Sequence, residues 1–410
     1  MSTTTPLRYS NSAIAIWLAG VSFVLFQFFL QLSSGIVIGT IMQDMHLSAL
    51  TAGLLSSSFY VIYTALQIPV GILFDRNNTR TLMSFNALLC SLGCLLFATS
   101  HSLIGLFSGR LLMGSGSAFA FIGLSHILRQ HFPPKRFAFM IGLSETLGFV
   151  IAVAGMLGMG AVLKQYGWRG FIGTAGLIGL FIALQCWIKI PDSPKASHNH
   201  INYTKQLIDI VCNLKAWING LFVGLCFTVV TVFGALWAIP FIQVKLQCSF
   251  AHASVLGTIF FLGAGISCPL FAILANQFPR KKLIISSCLS TTLMLLFTLF
   301  IPIHSAITMG ILMFIIGICC GAYMLAYTIA NEISPKDSLS TGTGFTNTLA
   351  VITAPLLQPL TGYLLDLSSS AHHHHQHTLI DYQYALLTVP IALLVATFLV
   401  LFLPDSNASS

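Results

Sequence analysis

Apolar runs of twenty residues or more recur along the whole 410-residue chain, separated only by short polar turns. A helix of about 20 apolar residues crosses roughly 30 Å of hydrocarbon, so each run is long enough for one membrane span. Twelve are read, at about 13–42, 49–74, 80–99, 102–130, 137–163, 169–190, 214–243, 251–276, 281–301, 304–332, 339–366 and 383–403. Hydrophobic residues make up 56% of the chain and charged ones 7%, a balance that a water-soluble domain of this size does not accommodate. The chain is expected to be an all-α integral membrane protein, because helices satisfy their backbone polar groups internally in lipid. The first run, from Ala13, is too long for the core of a cleavable signal. The net charge of +8 does not point to nucleic acid, since the basic residues are spread singly over many turns.

Those basic residues set an orientation. Of the 18 Lys and Arg residues, fourteen fall in turns on the side of the N-terminus, and three (Lys164, Arg169 and Lys245) fall on the other. The remaining one, Arg110, lies within a span. The positive-inside rule then expects both termini in the cytoplasm. The longest polar segment on that side divides the spans six and six. It gives an N-terminal six-helix bundle over 1–190, a linker over 191–213 and a C-terminal six-helix bundle over 214–410. Within the linker, Tyr203–Cys212 is expected to form a short surface helix with Leu207, Ile208 and Val211 toward lipid or protein. The halves also repeat faintly. Gly142-Leu-Ser-Glu-Thr-Leu147 is matched by Gly344-Phe-Thr-Asn-Thr-Leu349, and Pro134-Lys135 by Pro335-Lys336, about half the chain apart. Parallel repeats about an axis along the membrane normal produce such a pattern.

One turn is unusually charged. Gly71–Arg80 reads G-I-L-F-D-R-N-N-T-R and carries Asp75, Arg76 and Arg80 between two apolar runs. It resembles the G-x-L-x-D-R-x-x-x-R signature of the major facilitator superfamily, with departures at Asn77–Thr79. Arg110 opens R-L-L-M-G-S-G, which is similar to that family's fourth-helix R-x-x-x-G-x-G. The resemblance implies twelve helices in two bundles and transport by alternating access. It also implies a cytoplasmic gate in which Asp75 caps a neighbouring helix and Gly71, Arg76 and Arg80 take part. Phe29-Leu-Gln-Leu-Ser33, Gln67-Ile-Pro-Val-Gly71 and Ala235-Leu-Trp-Ala-Ile-Pro-Phe241 look like bacterial carriers related to phagosomal amino-acid transporters, and more distantly to lysosomal dipeptide carriers. That narrower likeness implies import of an amino acid or short peptide, coupled to protons, across a bacterial inner membrane, and it puts Trp237 near the central cavity.

Polar side chains inside spans are costly and so are functional candidates. Arg110 lies nine residues beyond His101 and Glu145 nine beyond Arg136, about 13 Å from opposite ends, so the two fall near one depth. They are expected to pair directly or across a substrate, or else to form a static pair that only joins two helices. In the transport reading Arg110 clamps a substrate carboxylate with its planar fork, and Glu145 exchanges a partner for a proton. Asn347 is the repeat counterpart of Glu145. Gln27 and Gln31 share a helix face, and Tyr60, Tyr63, Trp237, Tyr323 and Tyr327 are further candidates for the cavity wall. Glu332 and Asp337 read as gate or cap residues. The tract His372–His377 suits weak metal binding, but a solvated loop is the preferred reading and no metal site is expected. The ten cysteines have no zinc-ligand spacing.

The function expected is a secondary transporter of a small polar nutrient, without a cofactor beyond a proton gradient, embedded in lipid and sufficient as a monomer. One alternative is an exporter of a drug, siderophore or metabolite, although Gly155-Met-Leu-Gly158 lacks the proline that drug–proton antiporters carry late in the fifth helix. Another is a non-transporting nutrient receptor. An enzyme is not expected, since the spans hold no nucleophile–base pair, cofactor loop or metal-ligand cluster.

Overall fold

The computed structural model describes residues 11–46, 49–192, 208–371 and 378–403. The first four helices are α1 (Asn11–Asp44), α2 (Ala49–Phe74), α3 (Thr79–Thr99) and α4 (Leu103–His131). Pro134–Lys189 is helical throughout except at Gly167, where φ is 65°. That glycine divides the stretch into α5 (134–166) and α6 (168–189). The sequence leads one to expect a short loop here. Instead a single left-handed residue reverses the chain, a conformation that glycine adopts without a Cβ penalty.

The second half holds α7 (Leu214–Leu246), α8 (Phe250–Leu274), α9 (Arg280–Phe300), α10 (Ala306–Ile333), α11 (Leu339–Ala371) and α12 (Leu379–Val400). Two of these are irregular. Val229–Trp237 in α7 is a π-helix, and Cys320–Met324 in α10 is a 3₁₀ segment. Such stretches inside long helices recur at functional sites. Ten helices contain described stretches apolar and long enough to cross a membrane. The protein is a multi-pass, all-helical membrane protein.

Short polar turns end the helices cleanly. Asn78, Ser102, Ser249 and Ser305 each accept a bond from a first-turn backbone N–H, and Thr378 with Asp381 forms a capping box. Small residues then let helices meet backbone to backbone. A Cβ on Gly109 would sit 2.9 Å from the Gly93 carbonyl, and one on Gly317 would sit 2.2 Å from that of Phe260. In lipid such close packing supplies the association that hydrophobic burial supplies in water. Large apolar side chains such as Ile104, Phe181 and Ile307 point outward, as a lipid-facing belt requires.

Near the linker, residues 208–211 form one helical turn. Ile210 is the buried residue there, packed with Ala216, Phe345 and Leu349, while Ile208 and Val211 are exposed. The turn docks on the second half through Ile210, a contact the expected surface helix did not include. The rest of the expected surface helix, and the tract His372–His377, lie outside the described residues.

Candidate substrate and gating site

The turn between α2 and α3 reaches across to the other half of the molecule. Asp75 accepts bonds from the backbone N–H groups of Ser340 (2.9 Å) and Thr341 (2.8 Å) and from the Thr341 hydroxyl (2.8 Å). These are first-turn donors of α11, which have no partner inside the helix, and a carboxylate there also meets the positive end of the helix dipole. The contact demands a glycine at position 71, where a Cβ would lie 2.5 Å from the Ser340 carbonyl oxygen and 2.7 Å from the Thr341 Cα.

Of the two neighbouring arginines expected at this gate, Arg80 does not cross it. Its guanidinium lies 4.4 Å over the Trp187 ring of α6 and 3.8 Å from Asp192, just past that helix at the start of the linker. Arg76 is half-buried in the same turn. The arginine that does cross is Arg129, near the end of α4. It donates to Asn331 (3.1 Å), Thr343 (3.0 Å) and Ser340 (2.6 Å), and to Ser125 of its own helix (2.9 Å). His126 adds a ring-nitrogen bond to Ser340 (2.8 Å). In the sequence Arg129 reads only as one of the basic residues that set orientation. Its signal was the polar cluster Ser125-His126-Arg129 in the last turns of an otherwise apolar helix. Glu332 pairs with Arg280 of α9 (2.6 Å), within the second half.

Farther in from the Asp75 end, a polar lattice joins the halves. The Asn347 amide donates to Gln67 (2.8 Å) and more weakly to the Tyr63 hydroxyl (3.4 Å), and its carbonyl accepts from the Tyr327 hydroxyl (2.8 Å). Phe121 packs edge-on against Tyr327, and a Cβ on Gly344 would strike the Gln67 carbonyl at 2.4 Å. On the other flank α5 meets α8. Thr146 donates to the Gly265 carbonyl, and a Cβ on Gly142 would lie 2.8 Å from the Cys268 carbonyl carbon. The halves thus meet along the α2–α11 side from the Asp75 end to this lattice.

Glu145 lies beside the lattice, 6% exposed, with Tyr63, Tyr323, Tyr327 and Cys268 within electrostatic reach of its carboxylate. Among the described residues it forms no hydrogen bond or ion pair. The expected direct pair with Arg110 is therefore not formed. Residue counts along a helix do not fix the direction in which each side chain leaves it.

Arg110 sits in a second polar group, within the first half, and is 3% exposed. One guanidinium nitrogen donates to the Leu30 carbonyl (2.9 Å), and the plane lies 4.8 Å over the Phe59 ring. The other terminal nitrogen, Nη2, is buried with no partner. Tyr60 faces this charge and bonds Gln31, which in turn accepts from Gln27 (2.7 Å). A buried guanidinium donor without an acceptor is costly, and an incoming carboxylate would supply one. Trp237 closes the π-helix of α7. Its described ring contacts, Tyr382 at 6.5 Å and Gly362, belong to α12 and α11, and its indole N–H is buried without a partner.

The family model of the Major Facilitator Superfamily matches residues 13–237 and 216–410, and the chain belongs to that superfamily. Among curated proteins it is similar to a probable galactarate/D-glucarate transporter, GudP, of Bacillus subtilis, at 23% identity over 81% of each chain. It is also similar to a probable L-galactonate transporter of Escherichia coli, at 28% identity over about a third of each chain. Among solved structures, FucP of E. coli, a transporter of the same superfamily in the outward conformation, matches with a TM-score of 0.73 at 15% identity, covering 97% of this chain and 100% of that one. The protein is a membrane transporter and not an enzyme. The relatives named here carry sugar-acid names, so the expected nearness to amino-acid and peptide carriers gains no support from them.

Proposed function

We propose that this protein imports a sugar acid with a single carboxylate, an aldonate or uronate, across a bacterial inner membrane. The observation that carries the substrate class is Arg110: a buried guanidinium with one arm fixed on Leu30 and the other without a partner among the described residues, in a polar group that also offers the Gln27 and Gln31 amides and the Tyr60 hydroxyl. A planar donor fork suits a carboxylate, and amides and phenols suit hydroxyls. The L-galactonate name of one relative supports the same class, and the galactarate/D-glucarate name of the other, for substrates with two carboxylates, supports sugar acids more broadly. One carboxylate is favoured over two because, among the described residues, this polar group holds a single cation, Arg110, to match it.

In this reading the Asp75 end and both termini face the cytoplasm, and the described state is closed on that side. Residues 1–190 and 214–410 are the bodies that rock about the site, joined by the linker 191–213. Glu145, buried without a partner at the junction of the halves, is the proton-coupling residue. A monomer suffices for this cycle. A second substrate reading, an amino acid, rests on the same carboxylate, which would suit an ammonium group while Arg110 holds the acid.

Uptake into proteoliposomes separates these readings. Galactonate, glucuronate, galactarate, amino acids and dipeptides are offered with and without an inward proton gradient. Gradient-stimulated uptake of the monocarboxylate sugar acids alone is the expected result. Uptake of amino acids instead would move the substrate class. Saturable binding without flux would make the protein a receptor, and neither binding nor uptake would favour export.

A further inference from the structure

A cavity of about 960 Å³ opens at the Asp75 end, and Arg110 and its polar neighbours are not part of its wall. Its wall is shared between the halves. The first half contributes Arg129, Lys135 and Arg136, and the second contributes Arg280, Thr328 and Asn331. Four of the lining residues are cationic and one, Glu332, is anionic. In a chain with so few charges, that concentration of one sign around a cleft open to solvent makes a positive potential that draws anions.

Three further features point to an anion. The first residues of α5, Pro134, Lys135 and Arg136, line the cavity, and so does Arg280, the first residue of α9. Both helices are preceded by a proline, Pro133 and Pro279, that supplies no side-chain cap. In α5 Pro134 has no N–H and that of Arg136 bonds the Pro133 carbonyl, which leaves the Lys135 N–H in its first turn. The first turn of α9 keeps the N–H groups of Arg280, Lys281 and Lys282 without a side-chain cap. Arg280 spends one guanidinium nitrogen on Glu332, and its Nη1 is buried without a partner. The Thr328 hydroxyl, on the same wall, is also buried without one. Two helix dipoles, an unspent guanidinium donor and an unspent hydroxyl, together with Lys135 and Arg136, form a setting for a compact, multiply charged oxyanion.

We infer that this cavity binds a phosphate-bearing anion, either a free phosphate compound or a lipid headgroup, and that the anion holds the two halves closed at this end. The second part rests on the transport reading above. The wall is assembled from both halves, so the site exists as described only while they are together. A ligand that binds one state better than the other shifts the balance toward it by that difference in affinity. An anion accumulating on this side would therefore slow the return of the empty carrier, acting as a brake on uptake. Arg129 supplies charge to the site, but its hydrogen bonds are committed to the gate, so the readily changed determinants are Arg280 and the exposed Lys135.

The test is direct binding of pyrophosphate by calorimetry to the full chain in nanodiscs of phosphatidylcholine alone. Saturable binding is expected, and Arg280→Gln should weaken it about tenfold or more, the loss of one charge-assisted bond. Lys135→Gln, at an exposed position, should weaken it in the same direction without risk to folding. Repetition with phosphatidylglycerol in the disc identifies the source. A headgroup that already fills the site lowers the apparent pyrophosphate affinity, whereas unchanged affinity identifies a free anion. No saturable binding in phosphatidylcholine, or binding indifferent to both Arg280→Gln and Lys135→Gln, would overturn the inference. Neither result depends on which nutrient is carried, so failure here leaves the substrate reading intact, and failure of uptake leaves this site testable.

Discussion

Gly71→Ala offers a one-methyl wedge at the closed end. The added Cβ would lie 2.5 Å from the Ser340 carbonyl oxygen and 2.7 Å from the Thr341 Cα, both backbone atoms that no rotamer change can move. Relief to an ordinary contact of 3.4 Å needs about 0.9 Å of separation between α2 and α11 at that point. The Asp75 bonds to Ser340 and Thr341 start at 2.8–2.9 Å. The same displacement carries them to about 3.7 Å, beyond hydrogen-bonding range. Bonds to an ionised group contribute about 1.5–3 kcal/mol each, and water recovers part of that when they break. A net loss of about 3 kcal/mol is expected, enough to shift the closed-to-open ratio at this end by roughly a hundredfold. The assay is the distance distribution between spin labels at Asn77 and Lys336, exposed positions on opposite halves, after replacement of the exposed Cys212. Wild type should give one short distance, and Gly71→Ala should give a dominant longer one with the helical circular dichroism unchanged. An unchanged short distance in a folded Gly71→Ala protein would refute the reasoning that this contact holds the halves together.

Other outcomes follow from the same geometry. Arg129→Lys should lose most of the cross-gate effect despite keeping its charge, because one ammonium cannot reproduce the bonds now made to Asn331, Thr343 and Ser340; the same label pair should show a longer distance. Glu145→Gln should abolish gradient-stimulated uptake while preserving exchange of labelled for unlabelled substrate, measured in the same vesicles. At the opposite end Arg169 and Trp168 both donate to the Asp44 carboxylate, holding it below its usual value of 3.8. The sign follows from that depression: the stabilisation is fully present above pH 3.8 and is lost as pH falls through the lower folded value. The difference in melting temperature between wild type and Asp44→Asn should therefore be flat above pH 5 and shrink only on acidification below about 4.

The sequence made the architecture visible because lipid imposes a length and a polarity on every span, and both are written in hydropathy. The Asp75 turn was legible for a related reason: charge beside an apolar run needs a partner, and here that partner is the start of α11. What stayed hidden was direction around a helix. Residue counts placed Arg110 and Glu145 near one depth, yet the first turns toward Leu30 and Phe59 and the second toward the tyrosines at the junction of the halves. Arg80 and Arg129 were likewise exchanged in importance, because a basic residue at a span end looks the same whether it faces a partner half or its own α6. The π-helix of α7 leaves no mark in an apolar stretch whose composition suits an ordinary helix. The substrate class was out of reach of hydropathy altogether, since it depends on a few side chains in one pocket.

The most direct test of the central claim, that Arg110 takes a substrate carboxylate, is a matched comparison of galactonate with its neutral alditol, galactitol, as competitors of labelled substrate uptake. The account predicts strong competition by galactonate, little by galactitol, and loss of that difference in a folded Arg110→Gln protein. Equal competition by the two in wild type, or an undiminished preference for the acid in Arg110→Gln, would contradict it.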